Sequence, residues 1–438
     1  MTATPPATLA TADGAAVTSL RSIRVLVSGS ALRWFGFSFY LYFILLALRS
    51  DFGLAYADAG LDIAVVALVT VPLSQIGGGF SDWFGRRRMI VITLAGEAVG
   101  LGILAWGFTI GSLVVVFGGL LLARSFGTIG SPSTSAYVAD STEIGTRAKG
   151  LSWVRVANNL GAFGGAALAG VLLTFIAYGQ LTAVAAGMVG AAAVVNAVWL
   201  MPSSWDRSIV RRGTETSPSA EDGGPSLFRR MGQRMGSSFR PIWHDRTLLL
   251  LFLASTLILL MLFQIYFAFS TFGLIYLGIP FGILGAALSL NALIPVVGQV
   301  PVTAALAGRF HTRVGIWGAV VYALSFLAIG LDAEVRVEVV LVFIVVIVIS
   351  TIGENMVFLP LFTLPVNIAP KGSRGTYSGA ITTASSVGQI FAPILAGVAL
   401  TFAAHPLVTW GILAMPALPA IMILWYLDSR IPREHNRI

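Results

Sequence analysis

The chain has 438 residues, of which 56% are hydrophobic and only 11% charged, with a mean hydropathy of +0.87 and a net charge of +8. A soluble domain carries roughly 25% charged residues, so a soluble fold is excluded, and the 48 glycines follow no three-residue period that would suggest collagen. Cysteine is absent, which removes disulfides, thiol nucleophiles and thiolate metal sites.

In chain order, residues 1–24 are rich in Ala, Thr and Pro, with Asp13 the only charge before Arg21. They lack the basic start and short apolar core of a secretory signal and read as a disordered cytoplasmic tail. Apolar runs follow at 25–48, 59–80, 88–107, 112–136, 149–173 and 179–201. Each is long enough to cross a hydrocarbon core of about 30 Å. The segment 202–246 differs in composition, with a low-complexity stretch from Thr214 to Pro225. Within it, Leu227 to Arg240 reads either as a basic amphipathic helix on anionic headgroups or as plain solvated linker. Six more runs fall at 247–276, 282–306, 315–332, 339–363, 376–402 and 407–427, before a short tail at 428–438. The predicted fold is an all-α membrane protein with twelve transmembrane helices in two six-helix bundles, 25–201 and 247–427.

Most lysines and arginines fall on one side of this arrangement. They are Arg21 and Arg24, Arg86 to Arg88, Arg147 and Lys149, Arg309 and Arg313, Lys371 and Arg374, the arginines of the central linker, and Arg430, Arg433 and Arg437. The opposite loops hold Arg49 and Arg336. Basic residues mark the cytoplasmic side, so both termini are expected there. The positive charge is therefore a topology signal, and the expected partners are a bilayer and a small-molecule substrate, with no nucleic acid.

The two halves repeat each other. Gly78 and Gly85, between spans two and three, align with Gly308 and Gly315, between spans eight and nine. At nearly the same offset, Gly145-Thr146-Arg147 matches Gly372-Ser373-Arg374, and Leu168-Ala169-Gly170 matches Leu395-Ala396-Gly397. Such internal duplication is typical of secondary transporters. Here the chain resembles the major facilitator superfamily, whose loop signature Gly-x-x-x-Asp-Arg/Lys-x-Gly-Arg-Arg/Lys is met by Gly78, Asp82, Gly85, Arg86 and Arg87. Trp83 departs from it where a basic residue is usual, and Thr312 replaces the aspartate in the second copy. The resemblance implies two pseudo-symmetric bundles and no enzymatic activity. It also implies that Asp82 meets the start of span eleven, near Thr376, while Arg86 pairs with Asp140. This clasp is expected to hold the outward-facing state. From the residues alone, Gly78 is expected to permit a close helix approach, Gly85 a tight turn, and Asp82 to cap a helix N-terminus.

Charges inside spans cost at least about 2.5 kcal/mol at a helix centre, so each needs a role. Arg124 lies about 18 Å into span four at 1.5 Å per residue, and shares a face with Thr128, Ser131 and Ser135. The resembled family has an arginine followed by glycines there; Leu120, Arg124 and Gly130 fit, while Gly127 and Thr128 depart from its usual Gln-Gly. Arg124 is a cavity candidate for an anionic group or for proton coupling. Glu354, on one face with Ser350 and Thr351, and Glu97 are the proton-coupling candidates, because a carboxyl against a low-dielectric wall holds a proton near neutral pH. The alternative for Glu97 is a structural pair. All four histidines, His244, His311, His405 and His435, lie in polar or turn-like stretches outside the apolar runs, so no buried imidazole relay or metal cluster is expected.

Further cavity candidates are Arg33 and Tyr40 on one stripe of span one, Arg155 and Asn159 on span five, Gln264 on span seven, and Ser385 and Gln389 on span eleven. For Arg33 and Arg155 a structural role stands beside the functional one. Aromatics of spans one and seven offer a pocket for aromatic cations or lipophiles, or a lipid-facing surface. The expected function is proton-coupled export of a drug or metabolite, most like bacterial antiporters of the inner membrane, by a monomer that needs no cofactor beyond an ion gradient. The alternatives are uptake of organic acids or sugars by symport, and an uncoupled uniporter.

Overall fold

The computed structural model describes residues 9–215, 245–335, 338–370 and 373–438. Among the described residues the regular structure is helical, apart from an isolated bridge between Phe310 and Arg437. In the first half, span one comprises Leu9–Leu41 continued by Ile44–Phe52, and span two comprises Tyr56–Thr70 and Leu73–Phe84. Spans three to six are Arg86–Ile110, Leu113–Ser141, Ile144–Leu172 and Tyr178–Trp199. In the second half, span seven comprises Arg246–Leu262, a 3-10 turn at Phe263–Tyr266, and Ala268–Ile275. Spans eight to eleven are Phe281–Leu306, His311–Val335, Val339–Ile368 and Arg374–Leu400, and span twelve comprises Pro406–Ala414 and Ala417–Asp428.

Among the described residues, ten helices are long and apolar enough to cross a membrane. Spans two and five complete the twelve. The first of these is interrupted beside Pro72, whose ring has no N–H to give its helix. The second carries Arg155, Asn158 and Asn159, which lower its hydropathy. Span twelve breaks at Pro416 for the same reason as span two. Span seven starts at Asp245, whose carboxylate accepts from the amides of Thr247 and Leu248 at 2.8 and 3.2 Å, the capping geometry expected of an aspartate.

Within the first half, span one packs on spans five and six, and span three on spans four and six. The second half pairs spans nine with ten, seven with eleven, and nine with twelve. The halves meet where span five lies along span eight and where Tyr56–Thr70 lies along span eleven. Two glycine contacts place these meetings at the end away from the basic loops. A Cβ on Gly170 would run into the backbone of Phe281 and Gly285, and one on Gly60 into the carbonyl of Pro393. Tyr42 and Tyr266 meet nearby in a tilted ring pair with centroids 4.9 Å apart, and Phe43 meets Phe281 at 6.1 Å. At the basic end, Asp82, Arg155, Ser378, Gly379 and Thr382 are exposed. The interface is closed at one end and open at the basic one.

One expectation about the tails changes. Residues 9–24 are part of the first helix rather than a disordered tail. The linker starts with a helix, Ser204–Glu215, while Leu227 to Arg240 lies outside the described residues. The C-terminal residues are docked. The amide of Gly308 donates to the Ile438 carbonyl at 3.1 Å, and that of Ile438 to the Arg309 carbonyl at 3.0 Å. Asn436 accepts from the Thr312 amide at 3.1 Å and donates to the Thr312 hydroxyl at 2.8 Å. Thr312 donates in turn to Asp428, which also pairs with Arg313 at 3.1 Å. The tail thus fills the second copy of the loop motif, where the first copy has its aspartate.

Candidate functional site

The first loop motif is built around Arg86, the first residue of span three. Gly85 joins it to span two with φ of +93°, a conformation that favours glycine. The Arg86 guanidinium reaches Asp82 at 2.5 Å, Asp140 at the end of span four at 2.9 Å, and the Ser81 hydroxyl at 3.1 Å. The linker helix closes over it. The Trp205 ring lies 5.3 Å from the Arg86 guanidinium, and its indole N–H donates to the Asp82 carbonyl at 3.0 Å. Asp206 accepts from the amides of Ser203 and Arg87, and Arg87 donates to the Ala197 carbonyl at 2.5 Å. The pairing of Arg86 with Asp140 is present as expected.

The clasp with span eleven is expected only in the outward-facing state, and one other expectation for this motif fails. Asp82 is 55% exposed and pairs with Arg86 one helical turn along, not with the start of span eleven. The open basic end separates the two. Gly78 faces open space, and the close approach falls instead on Gly77, where a Cβ would meet the backbone of Ile129 in span four.

A second polar cluster lies wholly inside the first half. Arg33 of span one donates through Nε and Nη2 to Glu97 of span three at 2.6 and 3.2 Å, and through Nη2 to the Gly127 carbonyl at 3.3 Å. Glu97 is 2% exposed, so both of its oxygens are held by this one partner. The structure therefore brings Glu97 into the paired arrangement, and directs Arg33 away from the interface between the halves. The pair lines a cavity of about 140 Å³ with Thr93, Ser131, Thr134, Ser135 and Asn158. The stripe on span four is thereby divided by depth: Ser131 and Ser135 lie about 10 and 16 Å beyond Arg124 along the axis and serve this inner cavity.

Arg124 itself reaches the interface between the halves. Its Nη2 donates to the Gln389 side-chain oxygen on span eleven at 3.4 Å, and its guanidinium sits 5.8 Å from the centre of the Phe37 ring. The hydroxyl of the buried Tyr40 lies beside it. Arg124, Gln389 and Phe37 border a cavity of about 120 Å³ whose other walls include Trp34, Leu41, Ile63, Phe263 and Tyr266. In the second half, Glu354 is half-buried on span ten and accepts from the Asn291 amide of span eight at 2.8 Å, which also donates to Thr351 at 3.2 Å. Arg155 crosses from span five to lie 4.3 Å over the Phe358 ring, close enough to feel the charge of Glu354.

The predicted site residues thus divide. Arg124, Gln389 and the aromatic side chains converge at the interface, with Glu354 and Arg155 beside them. Thr128, Asn159 and Ser385 are half-buried on the same helices but border neither cavity. Gln264 is fully buried and bridges the carbonyls of Leu260 and Ala392 at 3.1 and 3.2 Å, fixing span seven to span eleven rather than facing a cavity. Asn291 is the residue that sequence reasoning missed. Its signal is present, as an amide in the middle of the apolar run of span eight.

Comparison with known proteins bears on the family and the fold. The family model described as Major Facilitator Superfamily matches residues 26–393 and 258–437. Over 110 residues the chain is 33% identical to the tetracycline resistance protein, class G, of Vibrio anguillarum, covering 25% of this chain and 27% of that one. Over 129 residues it is 31% identical to multidrug resistance protein 1 of Bacillus subtilis (strain 168), covering 28% and 31%. The chain spans less than a third of the length of either relative in these matches. Solved structures align over nearly the whole chain. A D-xylose-proton symporter matches with TM-score 0.70 and 15% identity over 96% of this chain and 100% of that one. A POT family transporter in complex with 5-aminolevulinic acid matches with TM-score 0.70 and 15% identity over 94% and 96%. At these identities the likeness concerns the fold alone.

Proposed function

The chain belongs to the major facilitator superfamily, and from that premise we propose that it is a proton-coupled secondary active transporter that exports small molecules by alternating access. Glu354 is the observation that carries the reading. It is an acid on the interface-facing side of span ten, held by one neutral amide and faced by Arg155 from the other half. A carboxyl between apolar walls loses solvation only in its charged form. Its occupancy by a proton therefore changes what it can hold across the interface, which is what a coupling group must do. The two relatives named above are resistance proteins by name, which supports export.

With the basic loops in the cytoplasm, the open end faces inward and the protein stands in an inward-facing state. Rocking the halves about the central cavity would part Gly170 from Gly285 and bring Asp82 up to the start of span eleven. In this reading the protein works as a monomer in a prokaryotic plasma membrane, with both termini cytoplasmic. A second reading, symport of an organic acid into the cell, is favoured by the two arginines at the interface. Transport by energised vesicles separates the readings. Efflux of lipophilic dyes that a protonophore abolishes is expected for the exporter. Protonophore-sensitive uptake of labelled organic acids would replace it with the symporter, and flux indifferent to the protonophore would overturn proton coupling.

A further inference from the structure

We infer that the substrate is an amphipathic organic anion, a flat apolar body bearing one carboxylate or comparable oxyanion, and that Arg124 receives its charge. The inference rests on the transporter reading above and names the chemistry of its central site.

Charge inventory is the first argument. An arginine at mid-span is costly, and Arg33 of span one offsets that cost with Glu97. Arg124 has no such partner: among the described residues no carboxylate forms an ion pair with it. Its neighbours are neutral, namely the Gln389 oxygen, the Tyr40 hydroxyl and the Phe37 ring. Arg155 adds a second cation to the interface, against Glu354 alone. The interface therefore carries an excess of positive charge, and a second cation entering it would be repelled.

Geometry is the second argument. A guanidinium has five N–H donors in a planar fork, and the protein engages few of Arg124's here. The fork matches a carboxylate in bidentate fashion, which a point charge does not. The walls that continue from it are Trp34, Phe37, Phe263 and Tyr266 with Leu41 and Ile63. Those rings suit a flat apolar body. They suit an aromatic-bound cation poorly, because Arg124 already stands over Phe37. The aromatic side chains of spans one and seven thus serve the body of the substrate rather than a positive head.

The test is binding to the purified full-length protein by three probes of one shape: 2-naphthoate, 2-naphthamide and 2-naphthylmethylammonium, read by tryptophan quenching. The carboxylate should bind about tenfold more tightly than the amide, the worth of one charge-assisted pair, and the ammonium more weakly than either. Arg124→Gln should abolish the difference between carboxylate and amide. Arg124→Lys, which keeps the charge, should retain part of it and shows that loss in the glutamine variant is not misfolding. Equal or tighter binding of the ammonium overturns the proposal, as does a carboxylate preference that survives in Arg124→Gln. A protonophore-indifferent transporter that still prefers the carboxylate would refute the coupling and leave the substrate class standing.

Discussion

Arg33 and Glu97 allow a quantitative test of how the first half is held together. Glu97 is 2% exposed and takes both of its hydrogen bonds from Arg33, which is itself 23% exposed. Arg33→Met keeps the length of the side chain and removes its charge, leaving a buried carboxylate without a counter-ion. Breaking a buried pair from one side costs about 3–5 kcal/mol. Glu97→Gln leaves a partly exposed guanidinium that still has the Gly127 carbonyl, so its cost is smaller, about 1–3 kcal/mol. Replacing both partners by apolar groups of similar volume is often neutral or stabilising. The double variant Arg33→Met/Glu97→Met should therefore be more stable than Arg33→Met alone. The assay is unfolding of the detergent-solubilised protein followed by its own tryptophan fluorescence, completed as a double-mutant cycle with the single variant Glu97→Met. Losses that add to within about 0.5 kcal/mol, the behaviour of independent sites, would refute the reasoning.

Three other outcomes follow from the same geometry. Asp82→Asn should lower transport while leaving membrane insertion intact, because the clasp with span eleven is needed only in the state opposite to this one; unchanged transport rates would count against it. Gly285→Leu places a side chain against the Gly170 backbone and should prevent closure of the outer end. Because the chain has no cysteine, a cysteine introduced at Ser385 can be probed with impermeant maleimide from either side. In the leucine variant its labelling should shift toward the outer side, and an unchanged pattern would contradict the assignment of the closed end. Asn436→Ala removes two bonds to Thr312 and should cost about 1–3 kcal/mol of stability, with faster proteolysis of the C-terminus; equal protease resistance would show the tail is not a strap.

The fold was legible because each part of it leaves a one-dimensional trace. Apolar runs mark spans, arginines mark one side, and Gly78, Gly85, Gly308 and Gly315 mark a duplication. Helix interruptions were less legible. Pro72 and Pro416 announce theirs, but the break at Tyr42-Phe43 has no local breaker and arises where those rings meet Tyr266 and Phe281 of the other half. At the site, the sequence identifies which polar residues are costly without identifying their partners. Arg33 and Arg124 look alike along the chain, both cations in apolar helices, and only packing sends one to Glu97 and the other to the interface. The docking of Asn436 on Thr312 joins residues far apart in sequence through side-chain geometry, so no periodicity could foretell it.

The central claim is that Glu354 couples proton movement to transport. The direct measurement uses purified protein in proteoliposomes, comparing wild type with Glu354→Gln in two modes. One is accumulation of substrate driven by an imposed pH gradient, and the other is exchange of labelled for unlabelled substrate with no gradient. Glutamine keeps the shape and the hydrogen bond with Asn291 but cannot carry a proton. The account predicts that Glu354→Gln loses gradient-driven accumulation and retains exchange, whereas gradient-driven accumulation at the wild-type rate would contradict it.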